Sequence, residues 1–313
     1  MAGASIERLL PGDRIPDIRL HAESGHSRTL HAHFAGTPLW LVRATSAETA
    51  ASLPQAPAGV TAICVAEVLL ASVPQGWHAL RADPRWLELI EPDRLWLADA
   101  NLRLQAAYPL QAPPDVGVAL AGADLVASTR GAAPVLQIPD VFEPDLCREV
   151  IRHLEIDCEG GELSRVLVLE GSEQVLQLDP TIKRRRESLP RDKGLEDRMH
   201  ERLMRRALPE IARAFNFAAN RRDALKLLAY PEGAGYFHAH RDNDTPDVAH
   251  RRFALSINLN HGEYRGGDFR YPEFGPHLYA PATGTALVFS CSLLHEVLPV
   301  ESGTRYAMTT FLY

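Results

Sequence analysis

A short stretch in the second half of the sequence is rich in groups that bind metal ions. Within YPEGAGYFHAHRDND, residues 230–244, seven positions hold four such side chains, His238, His240, Asp242 and Asp244. His240 and Asp242 form a His-x-carboxylate pair at the end of a predicted strand, and His295 follows 53 residues after Asp242, beside another predicted strand. Two imidazoles and one carboxylate on one face of an Fe(II) ion leave the other positions open for a cosubstrate and oxygen. We therefore predict that these three residues bind Fe(II).

An arginine at the start of the last predicted strand indicates what the cosubstrate is. Arg305 comes ten residues after His295 and opens the segment RYAMTTFLY. A buried arginine on a strand is costly unless it meets an anion, and its planar guanidinium pairs well with a carboxylate. A metal site with an arginine placed to bind the far carboxylate of a dicarboxylic acid favours 2-oxoglutarate.

Simpler interpretations of the same residues remain open. A histidine next to an aspartate at a surface is commonly a solvated pair, and a histidine on an apolar strand is commonly a hydrogen-bonded core residue. On an ideal strand His238 shares a face with His240, so a three-histidine site like that of cupins is an alternative, although it gives Arg305 no role. With Fe(II) held by two histidines, His238 is expected to line the pocket or lie at the surface, and Asp244 to lie in a turn.

The elements that would position these residues are short strands. From residue 223 onward the sequence reads as strands broken by Gly, Pro and Asn, in the segments ALKLLAY, RRFALSINLN, GGDFRY, TALVFSCS and RYAMTTFLY. This pattern predicts a sandwich or jelly roll with the preceding helices packed on one face. One helix is predicted to begin near Pro144 and a second helical region to span 194–217, where Pro209 should kink or divide it.

The first part of the chain has a different pattern. Short apolar runs alternate with helical-looking pieces, which predicts an α/β layer fold. Residues 98–101, Ala-Asp-Ala-Asn, predict a hairpin turn. With a boundary near residues 130–135, we predict an α+β chain with one domain at 1–132 and another at 133–313.

Composition narrows the classes of partner. The chain has 313 residues, 46% of them hydrophobic, and a net charge of -7, so there is no electrostatic case for a nucleic-acid or anionic-membrane partner. The four cysteines, Cys64, Cys147, Cys158 and Cys291, form no CxxC pair, and no secretion signal or long apolar span is evident. A cytoplasmic protein that acts on a small molecule or a peptide is expected.

Four segments of the second half, in order and spacing, resemble the Fe(II)/2-oxoglutarate-dependent dioxygenases of the prolyl 4-hydroxylase type. They are residues 230–243, INLN at 257–260, YRGGDFRYPEFG at 264–275 and LLHEVLPVESGTRYAMTTF at 293–311. The resemblance begins near residue 136, where IPDVFEPDLCREVI is similar to the first helix of that family. It implies a double-stranded β-helix (jelly roll) with packed helices. It also implies a hydroxylase that uses 2-oxoglutarate and O2 and releases succinate and CO2, with ascorbate as a candidate reductant.

The same resemblance implies roles for individual residues. The metal ligands correspond to His240, Asp242 and His295. Arg305 corresponds to the arginine that binds 2-oxoglutarate, and Tyr230, ten residues before the first metal histidine, to a tyrosine that contacts it. Thr309 shares the strand face of Arg305, where relatives place a hydroxyl near the cosubstrate or metal. Many relatives have a second cosubstrate-binding tyrosine where this chain has Asn258, whose amide would have to donate to the carboxylate instead.

The first half resembles peroxiredoxin-like domains of the thioredoxin fold, through LLPGDRIPDIRL, HFAGTPLWLVRATSAETA and RLWLADANLRLQAAY. The peroxidatic cysteine expected after PLWLV is absent, and Thr45 or Ser46 cannot replace a thiolate nucleophile. Cys64 on the next predicted strand is expected to be a small buried apolar residue. A non-catalytic domain is therefore implied, used for packing, homodimerisation or substrate presentation.

Two basic clusters, residues 183–186 and 250–252, stand out in an acidic protein. A solvated run of charge is the simple explanation, and recognition of an anionic group on the substrate is the other. If the first cluster is extended, Arg184 and Arg186 could both face a cleft. The candidate substrate contacts are Arg184, Arg186, His238 and Arg251.

We predict hydroxylation of an aliphatic carbon of an amino-acid-like, prolyl or other small-molecule or peptide substrate. Two alternatives remain open from the sequence. One is oxidative demethylation or desaturation at the same iron site. The other is a non-turnover module that senses 2-oxoglutarate or oxygen, or binds a protein.

Overall fold

A computed structural model describes residues 9–22, 27–70, 72–113, 132–170 and 173–313 of the chain. The chain divides into two compact units. The first unit comprises residues 1–133 and 272–277, and the second comprises residues 134–271 and 278–313. The predicted boundary near residues 130–135 adjoins residues 114–131, which lie outside the described ranges.

The first unit is built on a seven-stranded mixed sheet. Its strands are β1 (Arg19–His21), β2 (Ser27–Thr29), β3 (Leu39–Arg43), β4 (Thr61–Ala66), β5 (Trp77–Ala82), β6 (Arg94–Ala98) and β7 (Leu104–Pro109). Their order is β2-β1-β5-β4-β3-β6-β7, with β4 parallel to β3 and β5 and the other neighbours antiparallel. Three short helices complete the described part, α1 (Leu30–Phe34), α2 (Ala47–Ala51) and α3 (Pro84–Leu87). Strands and helices are thus mixed along the chain as expected, and the likeness to a thioredoxin fold stays a prediction.

Burial on both faces explains the uninterrupted apolar run of β3. Leu39 and Leu41 belong to one apolar cluster, and Trp40 and Val42 belong to a second. Cys64 on β4 is fully buried in the second cluster, and burial raises the pKa of its thiol to about 11. Since only the thiolate is a nucleophile, the prediction that Cys64 is a small apolar core residue is confirmed.

The predicted hairpin turn after β6 is also confirmed. β6 and β7 pair antiparallel, and Asp99 Oδ1 accepts hydrogen bonds from the backbone N–H groups of Asn101 and Arg103, each at 2.9 Å. This bonding of a short side chain to its own backbone is what favours aspartate in turns.

Residues 272–277 come from the second half of the sequence but belong by their contacts to the first unit. Glu273 is buried there, where its carboxylate is hydrogen-bonded to His31 Nδ1 and its carbonyl accepts from Arg14 Nη2 at 2.9 Å. The second unit is therefore not continuous in sequence, a feature that the sequence did not predict.

Two antiparallel sheets form the second unit. The strands of the major sheet are β8 (Leu136–Ile138), β9 (Glu162–Leu163), β13 (Arg186–Ser188), β14 (Lys226–Tyr230), β16 (Phe253–Asn258), β20 (Ala286–Ser290) and β23 (Arg305–Leu312). Their order is β8-β20-β16-β23-β14-β13-β9.

The strands of the minor sheet are β12 (Lys183–Arg184), β15 (Tyr236–His240), β18 (Phe269–Arg270), β19 (Leu278–Tyr279) and β21 (His295–Val297). Their order is β12-β15-β21-β18-β19. Pairing between strands remote in sequence is consistent with the predicted jelly roll.

Two further strand pairs lie outside these sheets. They are β10 (Val166–Glu170) with β11 (Glu173–Gln177), and β17 (Arg265–Gly266) with β22 (Val300–Ser302).

Prolines mark the start of two helices of the second unit, as predicted. The helices of this unit are α4 (Pro144–Arg152), α5 (Lys193–Arg202) and α6 (Leu208–Phe215), with π-helical turns at His153–Asp157 and Leu203–Ala207. Pro144 and Pro209 both lie in the first turn of their helices, where a missing N–H costs nothing. Because Pro209 cannot donate to the preceding turn, the predicted division of the second helical region is confirmed. No helix among the described residues has both the length and the apolar character to cross a membrane.

The strand β23 separates the apolar core from the site by its two faces. Met308 and Leu312 are buried in a cluster with Met199 and Ile211 of the helices. By the two-residue alternation of a strand, Arg305 lies on the opposite face. The helices thus cover one face of the major sheet, and the other face is free to carry polar groups.

Candidate metal centre

The minor sheet brings the two predicted metal-binding histidines together. His240 on β15 and His295 on β21 are direct register partners, with their ring centroids 4.3 Å apart. Asp242 follows β15, and its two carboxylate oxygens lie 3.4 Å from His240 Nε2 and 3.4 Å from His295 Nε2. Ligands at neighbouring corners of an octahedron around an ion about 2.1 Å away lie about 3 Å apart. A single ion between these three side chains therefore requires little movement.

The hydrogen bonds of the two histidines select the correct tautomer for a metal. His240 Nδ1 bonds to the carbonyl oxygen of His238 at 2.8 Å, and His295 Nδ1 bonds to that of Leu293 at 3.0 Å. A carbonyl only accepts, so each Nδ1 must carry the hydrogen. In the neutral ring Nε2 then presents its lone pair toward Asp242. In metal sites a hydrogen bond made by the other ring nitrogen orients a histidine ligand in the same way.

The charge states also suit metal binding. Burial lowers the pKa of His295 to about 4, against the opposing effect of Asp242, so its ring is neutral at physiological pH. Burial alone would raise the pKa of Asp242, but its interactions with His295 and His240, which favour the carboxylate form, outweigh burial and hold the pKa below the usual range. A neutral imidazole at His295 and an ionised carboxylate at Asp242, with His240 as a second imidazole, fit a divalent first-row metal such as Fe(II).

A third histidine does not join this group. The pairing of β15 with β21 is irregular between Phe237 and His240, and these two rings stack with centroids 3.5 Å apart. The irregularity shifts the alternation, so Phe237 and not His238 shares a side with His240. His238 is exposed and its ring packs on Tyr236 at 4.7 Å. A cupin-like three-histidine site is therefore not formed.

Arg305 is buried opposite a tyrosine. It is 2% exposed and is the register partner of Tyr230, whose ring centroid lies 5.1 Å from its Cζ atom. Its Nη2 has no hydrogen-bond partner, and no carboxylate among the described residues lies within ion-pair distance of it. Phe269 connects it to the metal centre, with its ring 5.1 Å from Arg305 Cζ and 6.4 Å from the His295 ring.

The Tyr230 hydroxyl is a second donor without an acceptor. Tyr230 is 2% exposed, and its oxygen accepts a 2.8 Å hydrogen bond from Arg185 Nη1. No acceptor for its own hydrogen is found within the described ranges. A buried donor without a partner costs free energy, so Tyr230 and Arg305 together form a site prepared for an acceptor with negative charge.

Two other residues expected at the cosubstrate are committed elsewhere. Asn258 is fully buried, and its two amide hydrogens are used by the carbonyl of Pro281 at 2.7 Å and the hydroxyl of Tyr264 at 2.8 Å. It cannot also donate to a carboxylate, so that expectation is corrected. Thr309 lies on the same strand as Arg305, and its hydroxyl donates to the carbonyl of Leu255 at 3.1 Å. The Thr309 hydroxyl can therefore only accept a further hydrogen bond and cannot donate one.

The basic cluster at residues 183–186 faces the opposite way from the one expected. Arg184 and Arg186 are exposed, while Lys183 and Arg185 point inward. Arg184 pairs with Tyr236 of the minor sheet and Arg186 with Ala229 of the major sheet, so the chain crosses between the sheets at Arg185. The inward-facing residues of this cluster are therefore Lys183 and Arg185, and not the predicted pair Arg184 and Arg186.

Arg251, also expected to contact the substrate, is anchored within the fold. Its Nε and Nη2 bond to Asp223 Oδ2 at 2.8 and 2.6 Å, and its Nη1 donates to the backbone carbonyl of Asp242 at 3.3 Å. It also stacks on Phe311, at 3.9 Å from the ring centroid. It therefore supports the segment that carries a metal ligand.

Sequence reasoning missed Arg185 and Phe237 as parts of the site. Arg185 Cζ lies 4.9 Å from the Phe237 ring centroid, on the ring that stacks against His240. A tyrosine and an arginine that meet across two sheets leave no local signal in the sequence. The strand irregularity beside Phe237 likewise follows from pairing with a remote strand.

No family model matches this chain, and no curated protein does. Among solved structures, similarities include a prolyl-4-hydroxylase from Pseudomonas putida, at 20% identity over 58% of this chain and 92% of that one, with a TM-score of 0.41. The viral collagen prolyl hydroxylase of Paramecium bursaria Chlorella virus-1, in complex with 2-oxoglutarate, is 17% identical over 58% and 96%, with a TM-score of 0.40.

A third similarity is to a prolyl hydroxylase from Trichoplax adhaerens in complex with a peptide fragment of hypoxia inducible factor. It is 18% identical over 58% of this chain and 84% of that one, with a TM-score of 0.43.

Proposed function

We propose that this chain is an Fe(II)- and 2-oxoglutarate-dependent dioxygenase that hydroxylates an aliphatic carbon. The observation that carries the proposal is Arg305, a buried guanidinium without a hydrogen-bond partner for Nη2, one aromatic ring away from a His-Asp-His group. A metal site alone fits many chemistries. An unpaired buried cation beside it selects an anionic ligand that reaches toward the metal.

The chain's own residues would bind and orient the reactants. His240, Asp242 and His295 would hold the ion on one side and leave the rest of its coordination sphere open. Arg305 and Tyr230 would take the far carboxylate of 2-oxoglutarate, which supplies the acceptor that both donors lack. When bound, Fe(II) with 2-oxoglutarate activates O2, so that one oxygen atom enters a C–H bond of the substrate and the other enters succinate as CO2 is released.

Buried aromatic side chains lie beside the metal group and would exclude water. Phe289 lies 4.6 Å from the His295 ring and Tyr271 lies 6.2 Å from it, both nearly inaccessible to solvent. Exclusion of water strengthens electrostatic contacts and limits side reactions at the site. The substrate is proposed to be a prolyl or amino-acid-like compound, free or within a peptide.

The first unit is proposed to take no part in the chemistry. The position after β3 where a redox cysteine is expected holds Ser46, whose Oγ instead accepts a hydrogen bond from Thr49 N at 3.1 Å and caps α2. Packing, homodimerisation or presentation of the substrate are the roles that remain for it.

Anaerobic titration of the Fe(II)-loaded protein with 2-oxoglutarate tests the proposal. We expect a weak visible charge-transfer band in the wild type, and none in Asp242→Ala. No band in the wild type overturns the proposal. Screening metabolites and peptides for stimulated succinate release, with a mass gain of one oxygen atom in the product, then identifies the substrate. Loss of a methyl group or of two hydrogens would instead indicate demethylation or desaturation.

A further inference from the structure

Arg185 lies where the chain crosses from the minor sheet to the major sheet, and its side chain is only 10% exposed. Its Nη1 donates to the Tyr230 hydroxyl at 2.8 Å. Its guanidinium also lies over two rings, at 5.7 Å from the centroid of Tyr230 and 4.9 Å from that of Phe237. Arg185 thus contacts both Tyr230 and Phe237, the ring that packs on His240.

The direction of the hydrogen bond determines what Tyr230 can do. A guanidinium has only donors, so the tyrosine oxygen must accept. The hydrogen of the hydroxyl is then available for a different acceptor. Arg305, whose Cζ lies 5.1 Å from the Tyr230 ring centroid, also offers donors only, so neither arginine can be that acceptor. The arrangement leaves Tyr230 and Arg305 as two donors for one incoming carboxylate.

A half-buried acid, Glu187, holds Arg185 in place. Arg185 Nη2 lies 3.3 Å from Glu187 Oε2, which also accepts a 2.6 Å hydrogen bond from Ser164 Oγ. Lys226 Nζ lies 3.5 Å from the other oxygen of the same carboxylate. Burial would raise the pKa of Glu187, but the charges of Arg185 and Lys226 outweigh it and lower the pKa to about 2. Arg185 thus shares one carboxylate with Lys226, whereas no carboxylate among the described residues lies within ion-pair distance of Arg305.

We propose that Arg185 is a positioning residue for the cosubstrate, which fixes the Tyr230 hydroxyl so that its hydrogen points to the far carboxylate of the bound dicarboxylate. This inference rests on the proposed function. We assign Arg185 no direct contact with the cosubstrate, because its Nη2 is paired with Glu187 and its Nη1 is used by Tyr230, although its Nε has no hydrogen-bond partner. It acts by orientation, and its donation to the tyrosine oxygen also strengthens the O–H as a donor.

A double-mutant cycle separates this role from a merely structural one. The Fe(II)-loaded wild type, Arg185→Met, Tyr230→Phe and the double variant are titrated anaerobically with 2-oxoglutarate, and iron affinity is measured alongside. Loss of an orienting partner of this kind typically weakens binding by about 10-fold. We expect Arg185→Met to show that loss for 2-oxoglutarate with unchanged iron affinity. In the Tyr230→Phe background the same substitution should have no further effect, because its target hydroxyl is gone.

Two controls keep the outcome unambiguous. Arg213→Gln removes a guanidinium from an exposed pair with Glu210 and should leave 2-oxoglutarate affinity unchanged. Arg185→Lys keeps the charge and one donor, so it should lose less affinity for 2-oxoglutarate than Arg185→Met. It replaces Arg185→Met in the cycle if the methionine variant is unstable. The inference is overturned if Arg185→Met lowers 2-oxoglutarate affinity equally with and without the Tyr230 hydroxyl, or does not lower it at all. Arg185→Lys is judged in the same way where it replaces the methionine variant. In either case the band in the wild type preserves the proposed function. No band in the wild type overturns both.

Discussion

Tyr230 and Arg305 face each other across the antiparallel pair of β14 and β23, with the Arg305 Cζ atom 5.1 Å from the tyrosine ring centroid. The register of these strands thus fixes a cation and a hydroxyl donor on the same face of the major sheet. The metal group lies on the minor sheet, where His240 and His295 are likewise register partners. Each half of the site is made by one strand pairing, and a dicarboxylic 2-oxo acid could contact both.

Replacing Arg305 with methionine should weaken cosubstrate binding and stabilise the ligand-free protein. Removing one partner of a buried charge pair costs about 2–5 kcal/mol, so 2-oxoglutarate affinity should fall by roughly 30-fold or more, with iron affinity retained. Without ligand, Arg305 is a buried cation that lacks a counterion, and an apolar side chain of similar length should raise the free energy of unfolding by about 1–3 kcal/mol.

Anaerobic titration measures the first effect, and urea unfolding of the ligand-free protein measures the second. Arg265→Met, at an exposed arginine hydrogen-bonded to Ser302, is the control that should change neither. A stable Arg305→Met variant with wild-type affinity for 2-oxoglutarate would contradict the anion-binding role.

The two neighbouring histidines on β15 should behave differently toward the metal. His240→Ala removes a ligand and should reduce Fe(II) affinity by at least about 100-fold, because three protein ligands become two. His238→Ala should leave Fe(II) affinity within a factor of about 3, since the exposed ring packs on Tyr236 and not on the metal group. Equilibrium competition with a metal indicator checks both variants. A similar loss from both would restore the three-histidine alternative.

Asn258 should be important for stability and not for the cosubstrate. Its two amide hydrogens bond within a fully buried site, to Pro281 and Tyr264. Asn258→Ala should therefore lower the free energy of unfolding by about 2–3 kcal/mol through the unsatisfied groups it leaves. The 2-oxoglutarate affinity of the folded fraction should stay within about twofold, because the amide has no donor to lose at the carboxylate. Urea unfolding and anaerobic titration measure the two quantities, and a selective loss of affinity would show that the amide binds the ligand.

The sequence predicted the metal group because residue types and spacing limit the choices for His240, Asp242 and His295. It also pointed to Arg305, which is buried at the start of the last strand, and the binding of an anion by this residue stays a prediction. It did not predict which of residues 183–186 face inward, because the chain changes sheets at Arg185 and alternation within one strand no longer applies.

The hydrogen bonds of the Asn258 amide could not be predicted from the sequence, for a related reason. Its partners Tyr264 and Pro281 lie 6 and 23 positions away, and only the folded sheet brings them together. Local patterns therefore identified groups with strong chemical requirements. The partners chosen by tertiary packing, such as Glu187 for Arg185, had to be read from the structure.

Lys183 provides a prediction about pH. It is one of three lysines in the chain, with Lys193 and Lys226, and its Nζ lies 5.3 Å from the Phe237 ring centroid. No carboxylate among the described residues forms an ion pair with it. Burial, followed by the like charge of Arg185, lowers the pKa of Lys183 to about 7. In the unfolded chain the pKa of a lysine is about 10.4, so the unfolded state binds more protons between these two values.

The contribution of Lys183 to the free energy of unfolding of the wild type should therefore rise with pH between about 7 and 10.4. Methionine at this position carries no proton, so Lys183→Met should be more stable than the wild type at pH 7, and this advantage should shrink by pH 9. Urea unfolding of both proteins at the two pH values measures the difference. Lys193→Met is the matched control, because the pKa of Lys193 is raised by its bonds to Asp197 and Glu196 and its charge is unchanged across this range. An advantage of Lys183→Met that stays constant from pH 7 to 9 would show that Lys183 remains fully charged in the folded protein, and that its environment holds an anion which offsets burial.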